Sequence, residues 1–298
     1  AQNSTKKLYA PWNEQDDYKT TTIAGGTGAA QSLGSNDTVV KDGSGATATF
    51  LRPVALAVDS AAGELYVADK GSHRIRMIKV SSFANASDYV TTLAGSSRGY
   101  ADGIGVAARF DEPTGLAIDP YTRLLFVADS ANYVVRQIEL DTGRTTTLAG
   151  AQGVVGFANG RGEAARFSYP TGLALALRSR QLFVCDPYNH AVRVVHVVSR
   201  EVHTLAGTRV DGSSDGTGAA ASFHRPQAAA VADDETVVYV ADGSPRIRAL
   251  QTTTVPSYPT APGTSDAAAF SPAVTTLLDG TPLGLLEVAA LSLAFGWP

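Results

Sequence analysis

A repeat constrains this chain more than any other feature. Val67-Ala68-Asp69, Val127-Ala128-Asp129, Val184-Cys185-Asp186 and Val240-Ala241-Asp242 read alike, at spacings of 60, 57 and 56 residues. Arg76, Arg136 and Arg193 follow their aspartates by seven positions, and Arg248 follows Asp242 by six. Upstream of each triplet stands a proline, at Pro53, Pro113, Pro170 and Pro226, and three residues earlier a phenylalanine, at Phe50, Phe110, Phe167 and Phe223. A worn fifth copy begins at Phe270 and Pro272. A Thr-Thr-(Leu/Ile)-Ala-Gly tail closes the units at Thr21–Gly25, Thr91–Gly95 and Thr146–Gly150, with His203–Gly207 as a variant. So many positions in one register identify a protein built by stacking like units.

Within a unit the periodicity is that of short strands divided by turns. In the second unit, Thr114–Asp119, Leu124–Ala128, Tyr133–Leu140 and Arg144–Ala149 give a four-stranded meander. The first strand is small: Gly115, Ala117, Gly172, Ala174, Ala55 and Ala57 suit a strand crowded against an axis. Twenty-nine glycines and an apolar share of 44% agree with an all-β chain that has enough material for a core. These observations predict a β-propeller of four-stranded antiparallel blades.

The run Asp102-Gly103-Ile104-Gly105 through Leu116-Ala117, then Leu125–Asp129 and Asn132–Arg136, resembles the NHL repeat, and Asn189–Arg193 carries the same ending in the third unit. The resemblance covers residues 20–250 closely and 263–298 loosely. It implies a propeller fold, commonly of six blades. It also brings three kinds of activity into view: protein or ligand recognition, RNA binding as in NHL domains of the tripartite-motif family, and the metal-histidine chemistry of amidating lyases.

Five proline anchors predict five blades in one domain spanning residues 1–298, six being the alternative. The units lie near 53–95, 113–150, 170–207, 226–255 and 272–298. The last would take Val274–Leu278, Leu283–Ala289 and Leu291–Phe295, and an N-terminal strand at Tyr18–Ala24 would complete it and close the ring. The apolar run Leu283–Trp297, interrupted by Gly284 and Glu287, is too short to span a bilayer.

Most polar residues of the repeat have structural readings. Asp69, Asp129, Asp186 and Asp242 end buried strands, where a carboxylate accepts N–H groups of the turn that follows. Arg76, Arg136, Arg193 and Arg248 are expected to pair with them or with carbonyls of the next blade. The loops Asp42–Gly45, Asp102–Gly105, Asn159–Gly162 and Asp215–Gly218 offer at most one carboxylate each and read as glycine turns rather than calcium sites. Gly95–Gly99 matches a nucleophile elbow only in letters, since no strand-to-helix context surrounds it. The five histidines lack metal spacing, and one cysteine, Cys185, cannot form an internal disulfide. No catalytic residue, metal or cofactor is assigned.

Function is therefore sought where the repeat breaks. The loops joining second to third strands, and one blade to the next, share a face. There the non-repeating candidates for binding are His73, Tyr133, Tyr188, His190, His224 and Arg225, residue types enriched at recognition hot spots. The expectation is a non-catalytic, monomeric module that binds a protein or small ligand through this face. A lyase-like or lactonase-like metal enzyme and an RNA-binding domain are the alternatives. The inner strands lack the acids a channel metal needs, and a net charge of −4 disfavours a nucleic acid partner. Glycosylation acceptor triplets at Asn3, Asn36 and Asn85 point to an extracellular or cell-surface glycoprotein.

Overall fold

A computed structural model describes residues 22–25, 40–80, 88–252 and 273–276. Among these described residues twenty strands fall into four antiparallel sheets. Blade 1 holds β1 (Gly43–Ser44), β2 (Pro53–Asp59), β3 (Glu64–Asp69), β4 (Arg74–Lys79) and β5 (Tyr89–Ala94). Blade 2 holds β6 (Gly103–Ile104), β7 (Pro113–Asp119), β8 (Leu124–Asp129), β9 (Val134–Glu139) and β10 (Arg144–Ala149). Blade 3 holds β11 (Gly160–Arg161), β12 (Leu173–Ala176), β13 (Gln181–Asp186), β14 (Ala191–His196) and β15 (Glu201–Gly207). Blade 4 holds β16 (Gly216–Thr217), β17 (Ala228–Val231), β18 (Val237–Asp242), β19 (Arg246–Gln251) and β20 (Ala273–Thr276).

Each blade thus has five strands where the sequence predicts four. The extra one comes from the glycine loops: two residues of the incoming loop pair antiparallel with the outermost strand, as Gly103 does with Thr145. A 3₁₀ turn follows, and Gly105 enters it at φ 56°, with nothing within 4 Å of where a Cβ would sit. Its backbone conformation, not crowding, calls for glycine.

Small residues on the inner strands have the opposite cause. A Cβ on Gly115 would fall 1.9 Å from the carbonyl oxygen of Thr171, and one on Gly172 would fall 2.5 Å from that of Gln227. Neighbouring blades converge until backbone meets backbone. The core lies between blades: Ala55, Ile75, Phe110, Leu116 and Val127 fill the first junction, and Phe126, Val135, Phe167, Leu182 and Val195 the second. The third contains Phe183, Cys185, Phe223, Val238 and Val274.

The C-terminal reading needs correction. The sequence places Val274–Leu278 first in a fifth blade, whereas Ala273–Thr276 is the outer strand of blade 4. Val274 and Thr276 pair with Leu250 and Arg248 as Val90 and Thr92 pair with Ile78 and Arg76. Val274-Thr275-Thr276 is therefore the Thr-Thr tail of the fourth repeat, supplied late in the chain. The described residues form four blades, not the five expected. The remaining strands assigned to a fifth blade, within 18–21 and 277–298, lie outside the described residues. So do Phe270 and Pro272. Gly25 N–H donates to the Gly45 carbonyl at 3.0 Å, as Gly95 does to Gly105 at 3.1 Å, so Thr22–Gly25 sits where the outer strand of a blade preceding blade 1 would end.

On the face opposite the candidate loops, polar latches tie blade to blade. A left-handed residue in the turn between the two inner strands reaches back to its neighbour. Arg123 contacts Asp59 at 2.6 Å, Arg180 contacts Asp119, and the Glu235 carboxylate accepts N–H groups of Arg178 and Ser179 at 2.7 and 3.0 Å. In blade 1 that turn carries Gly63, which has no side chain to reach with.

Candidate recognition surface

The repeated aspartates and arginines are spent on each blade's own architecture. In blade 2, Asp129 Oδ1 accepts the Asp111 N–H at 2.7 Å, while Oδ2 accepts Asn132 Nδ2 at 2.9 Å and the Arg136 guanidinium at 3.0 Å. Arg136 also donates to the carbonyls of Arg109 and Ala101 and to Asp102, and lies on the rings of Phe110 and Tyr100. Arg193 repeats the arrangement with Asp186, Asn159 and Phe167, Arg76 with Asp69, Asp42 and Phe50, and Arg248 with Asp242, Asp215 and Phe223. Burial pushes Asp129 up to about 6, against the opposing pull of Arg136, Asn132 and the Asp111 N–H.

Two details differ from the sequence reading. A backbone donor to each aspartate stands 18 residues earlier, on the loop entering the blade, and a side chain of the following turn joins it. The carbonyls bound by each arginine belong to that same loop rather than to the next blade. A strand-end carboxylate can only bind what the fold lays beside it, and the incoming loop crosses there.

With the repeat residues so engaged, the loop face is left to the variable ones. Two positions in blades 1 to 3, and one in blade 4, project from left-handed backbone. After the 3₁₀ turns Lys70–Ser72, Ser130–Asn132 and Pro187–Asn189 come His73, Tyr133 and His190, at φ 56°, 61° and 50°. Before the anchor prolines stand Arg52, Glu112, Tyr169 and Arg225, at φ 63°, 53°, 60° and 51°. Left-handed backbone is costly for non-glycine residues and disfavoured further before proline, so the fold demands it before the anchor proline of all four described blades while leaving the side chain free.

Five of the variable side chains form one network across the four blades. Lys70 Nζ lies 3.1 Å from the Tyr169 hydroxyl and 3.3 Å from the Glu112 carboxylate, and that hydroxyl donates to Glu112. Burial opposes ionisation of Glu112, but the hydrogen bond from Tyr169 and the Lys70 ammonium hold its carboxyl below the ordinary range. Tyr169 meets Tyr188 edge to face at 5.7 Å, and the Arg225 guanidinium lies 5.3 Å from the centre of the Tyr188 ring. Tyr188 remains 55% exposed.

Beside this network the histidines occupy blade junctions. His73 Nδ1 accepts the Glu112 N–H at 3.2 Å, and His190 Nδ1 accepts that of Arg225 at 3.4 Å. Burial lowers the His73 imidazole from its ordinary value despite Asp111 nearby. His224 Nδ1 and Asp211 lie 2.6 Å apart, and the hydrogen bond from His224 lowers Asp211. The structure thus joins Tyr188 with Arg225, and His190 with His224. His73 sits at another junction, and Tyr133 takes the same turn position in blade 2 without joining either cluster. Lys70, Glu112 and Tyr169 were not singled out from sequence, although the changing residue before a constant proline marks two of them.

Among the described residues no group of three His, Cys, Asp or Glu side chains is arranged to hold a metal ion. The acids ending inner strands, Asp59 and Asp119, lie on the opposite face in contact with arginines. Among the described residues no helix is long and apolar enough to cross a membrane. Asn3, Asn36 and Asn85 lie outside the described residues.

Four radially packed meanders with a shared loop face define a β-propeller, whose variable side chains gather on that face. A family model described as NHL repeat matches residues 50–76. NHL repeat-containing protein 2 of Homo sapiens is 30% identical over 149 residues, 47% of this chain and 20% of that protein. Protein SUPPRESSOR OF QUENCHING 1, chloroplastic, of Arabidopsis thaliana is 27% identical over 190 residues, 60% of this chain and 17% of that protein. A solved nidogen/laminin complex is similar at TM-score 0.48 and 16% identity, covering 68% of this chain and 60% of that one. The chain spans about a fifth of the length of the curated relatives it matches. Over nearly half of its length the chain is thus similar to NHL-repeat proteins.

Proposed function

We propose that this propeller is a recognition module and that its loop face, centred on Tyr188 and Arg225, binds a protein partner. One observation carries the reading. Lys70, Glu112, Tyr169, Tyr188 and Arg225 follow no repeat, yet they contact one another across four blades, while the repeated charges are consumed inside their own blades. An exposed aromatic beside an arginine is the composition of an interface hot spot.

Photo-crosslinking tests the reading. A benzoylphenylalanine in place of Tyr188 should give a discrete adduct in extracts of the source cell. The same group in place of Tyr121, 85% exposed on the opposite face, should give none. Adducts from Tyr121 alone would move the binding surface to the other side.

An extracellular or surface location is proposed on the acceptor triplets alone, and a mass decrease on N-glycosidase treatment of native protein tests it. Completion of the ring is likewise a proposal. Leu56 and Val58 of β2 are 55% and 57% exposed, which favours a further apolar element beside blade 1.

A further inference from the structure

We propose that the mouth of the loop face takes an extended peptide segment bearing two carboxylates around an apolar side chain. This rests on the recognition reading above and names its ligand.

The argument starts from which charges are already answered. Of the four residues preceding the anchor prolines, Glu112 and Tyr169 are bound to each other and to Lys70. The other two, Arg52 and Arg225, form no ion pair among the described residues and are exposed, Arg225 feeling only the more distant Asp211, which is itself bound to His224. Arg52 belongs to the same mouth, because its carbonyl accepts the Lys70 N–H at 3.2 Å. After internal compensation the mouth offers two guanidiniums, one of them held over the exposed Tyr188 ring. A guanidinium presents a planar fork that matches a carboxylate bidentately, and stacking on an aromatic ring orients it in advance. The exposed ring itself supplies an apolar contact beside the Arg225 charge.

Two guanidiniums favour discrete carboxylates over a continuous polyanion. Nucleic acid affinity grows with each phosphate neutralised, and two contacts release few counterions.

Fluorescence anisotropy on the full chain tests the proposal with three labelled probes. These are a short acidic peptide of Glu and Leu, its Gln and Leu counterpart, and oligouridine. The acidic peptide should bind at least about tenfold more tightly than its neutral counterpart, a difference of about 1.4 kcal/mol. Arg52→Gln and Arg225→Gln should each weaken it by about fivefold or more. Equal binding of the two peptides, tighter binding of oligouridine, or unchanged affinity in both variants would overturn it. The peptide comparison uses unaltered protein, so misfolding of a variant cannot obscure the answer. If Tyr188 still crosslinks while the peptides bind equally, the recognition surface stands and only its ligand chemistry is wrong.

Discussion

Lys70 and Tyr169 stand 99 residues and two blades apart, yet the ammonium lies 3.1 Å from the phenol oxygen. Such contact is available only near the axis, where inner strands converge. It links blade 1 to blade 3 across the loop face, and through Glu112 it includes blade 2.

Tyr169→Phe therefore tests the network directly. It removes the hydroxyl that joins Lys70 to Glu112 but leaves the ring against Tyr188. A loss of about 1 kcal/mol is expected, seen as a fall of about 2–4 °C in thermal midpoint. An unchanged midpoint would mean that the three groups are equally well served by water.

The blade interior should respond more strongly. Asp129→Ala leaves the fully buried Arg136 without its innermost partner, and about 3–5 kcal/mol should be lost in denaturant unfolding. Asp102→Asn should cost less than about 1 kcal/mol. Blade 3 already places Asn159 in that position, where Arg193 donates to it at 2.9 Å. Similar losses in both variants would contradict the distinction.

Crowding at the axis predicts another contrast. Gly115→Ala drives a methyl group into the Thr171 carbonyl, and a loss of about 3 kcal/mol or failure to fold is expected. Gly105→Ala meets empty space and pays only for its left-handed backbone, about 1–2 kcal/mol. Comparison of the two unfolding midpoints checks the order.

His73 gives a pH dependence of definite sign. Its folded value lies below the ordinary one because burial disfavours the imidazolium, with Asp111, Glu112 and Asp69 pulling the other way and Arg98 adding to the lowering. The unfolded chain therefore takes up the proton first. The contribution is complete above about pH 6.5 and is lost as pH falls through the folded value. Thermal midpoints measured from about pH 7.5 to about pH 5 should fall less steeply in His73→Gln. Parallel curves would show that the bond from Glu112 N–H is not what protonation breaks.

Much of the architecture was legible because each repeat makes the same steric demand. Gly115 and Gly172 announce the inner strand, since only a missing Cβ allows the neighbouring carbonyls to approach. The Val-Ala-Asp and arginine spacing similarly locates the buried pairs. Order along the chain was less legible. Val274-Thr275-Thr276 copies Val90-Thr91-Thr92, but its delay past residue 252 and the nearby Phe270 and Pro272 mimic a new unit. The two-residue strands β1, β6, β11 and β16 were hidden because glycine loops signal a turn whether or not their neighbours pair. On the candidate surface, Tyr188 and Arg225 were accessible from residue type. Lys70, Glu112 and Tyr169 required knowledge of which loops meet at the axis.

Each buried guanidinium donates its hydrogen bonds to partners that precede it by no more than 35 residues. A chain leaving the ribosome therefore carries every ligand of Arg76 before the second Val-Ala-Asp triplet is made, and the same holds unit after unit. Large β proteins ordinarily fold slowly because distant strands must find one another. Here the costly desolvation of a charge is resolved within a local stretch of chain, so assembly can proceed vectorially during synthesis. The exception is the fourth unit, whose arginine is satisfied early but whose outermost strand is synthesised only after residue 272.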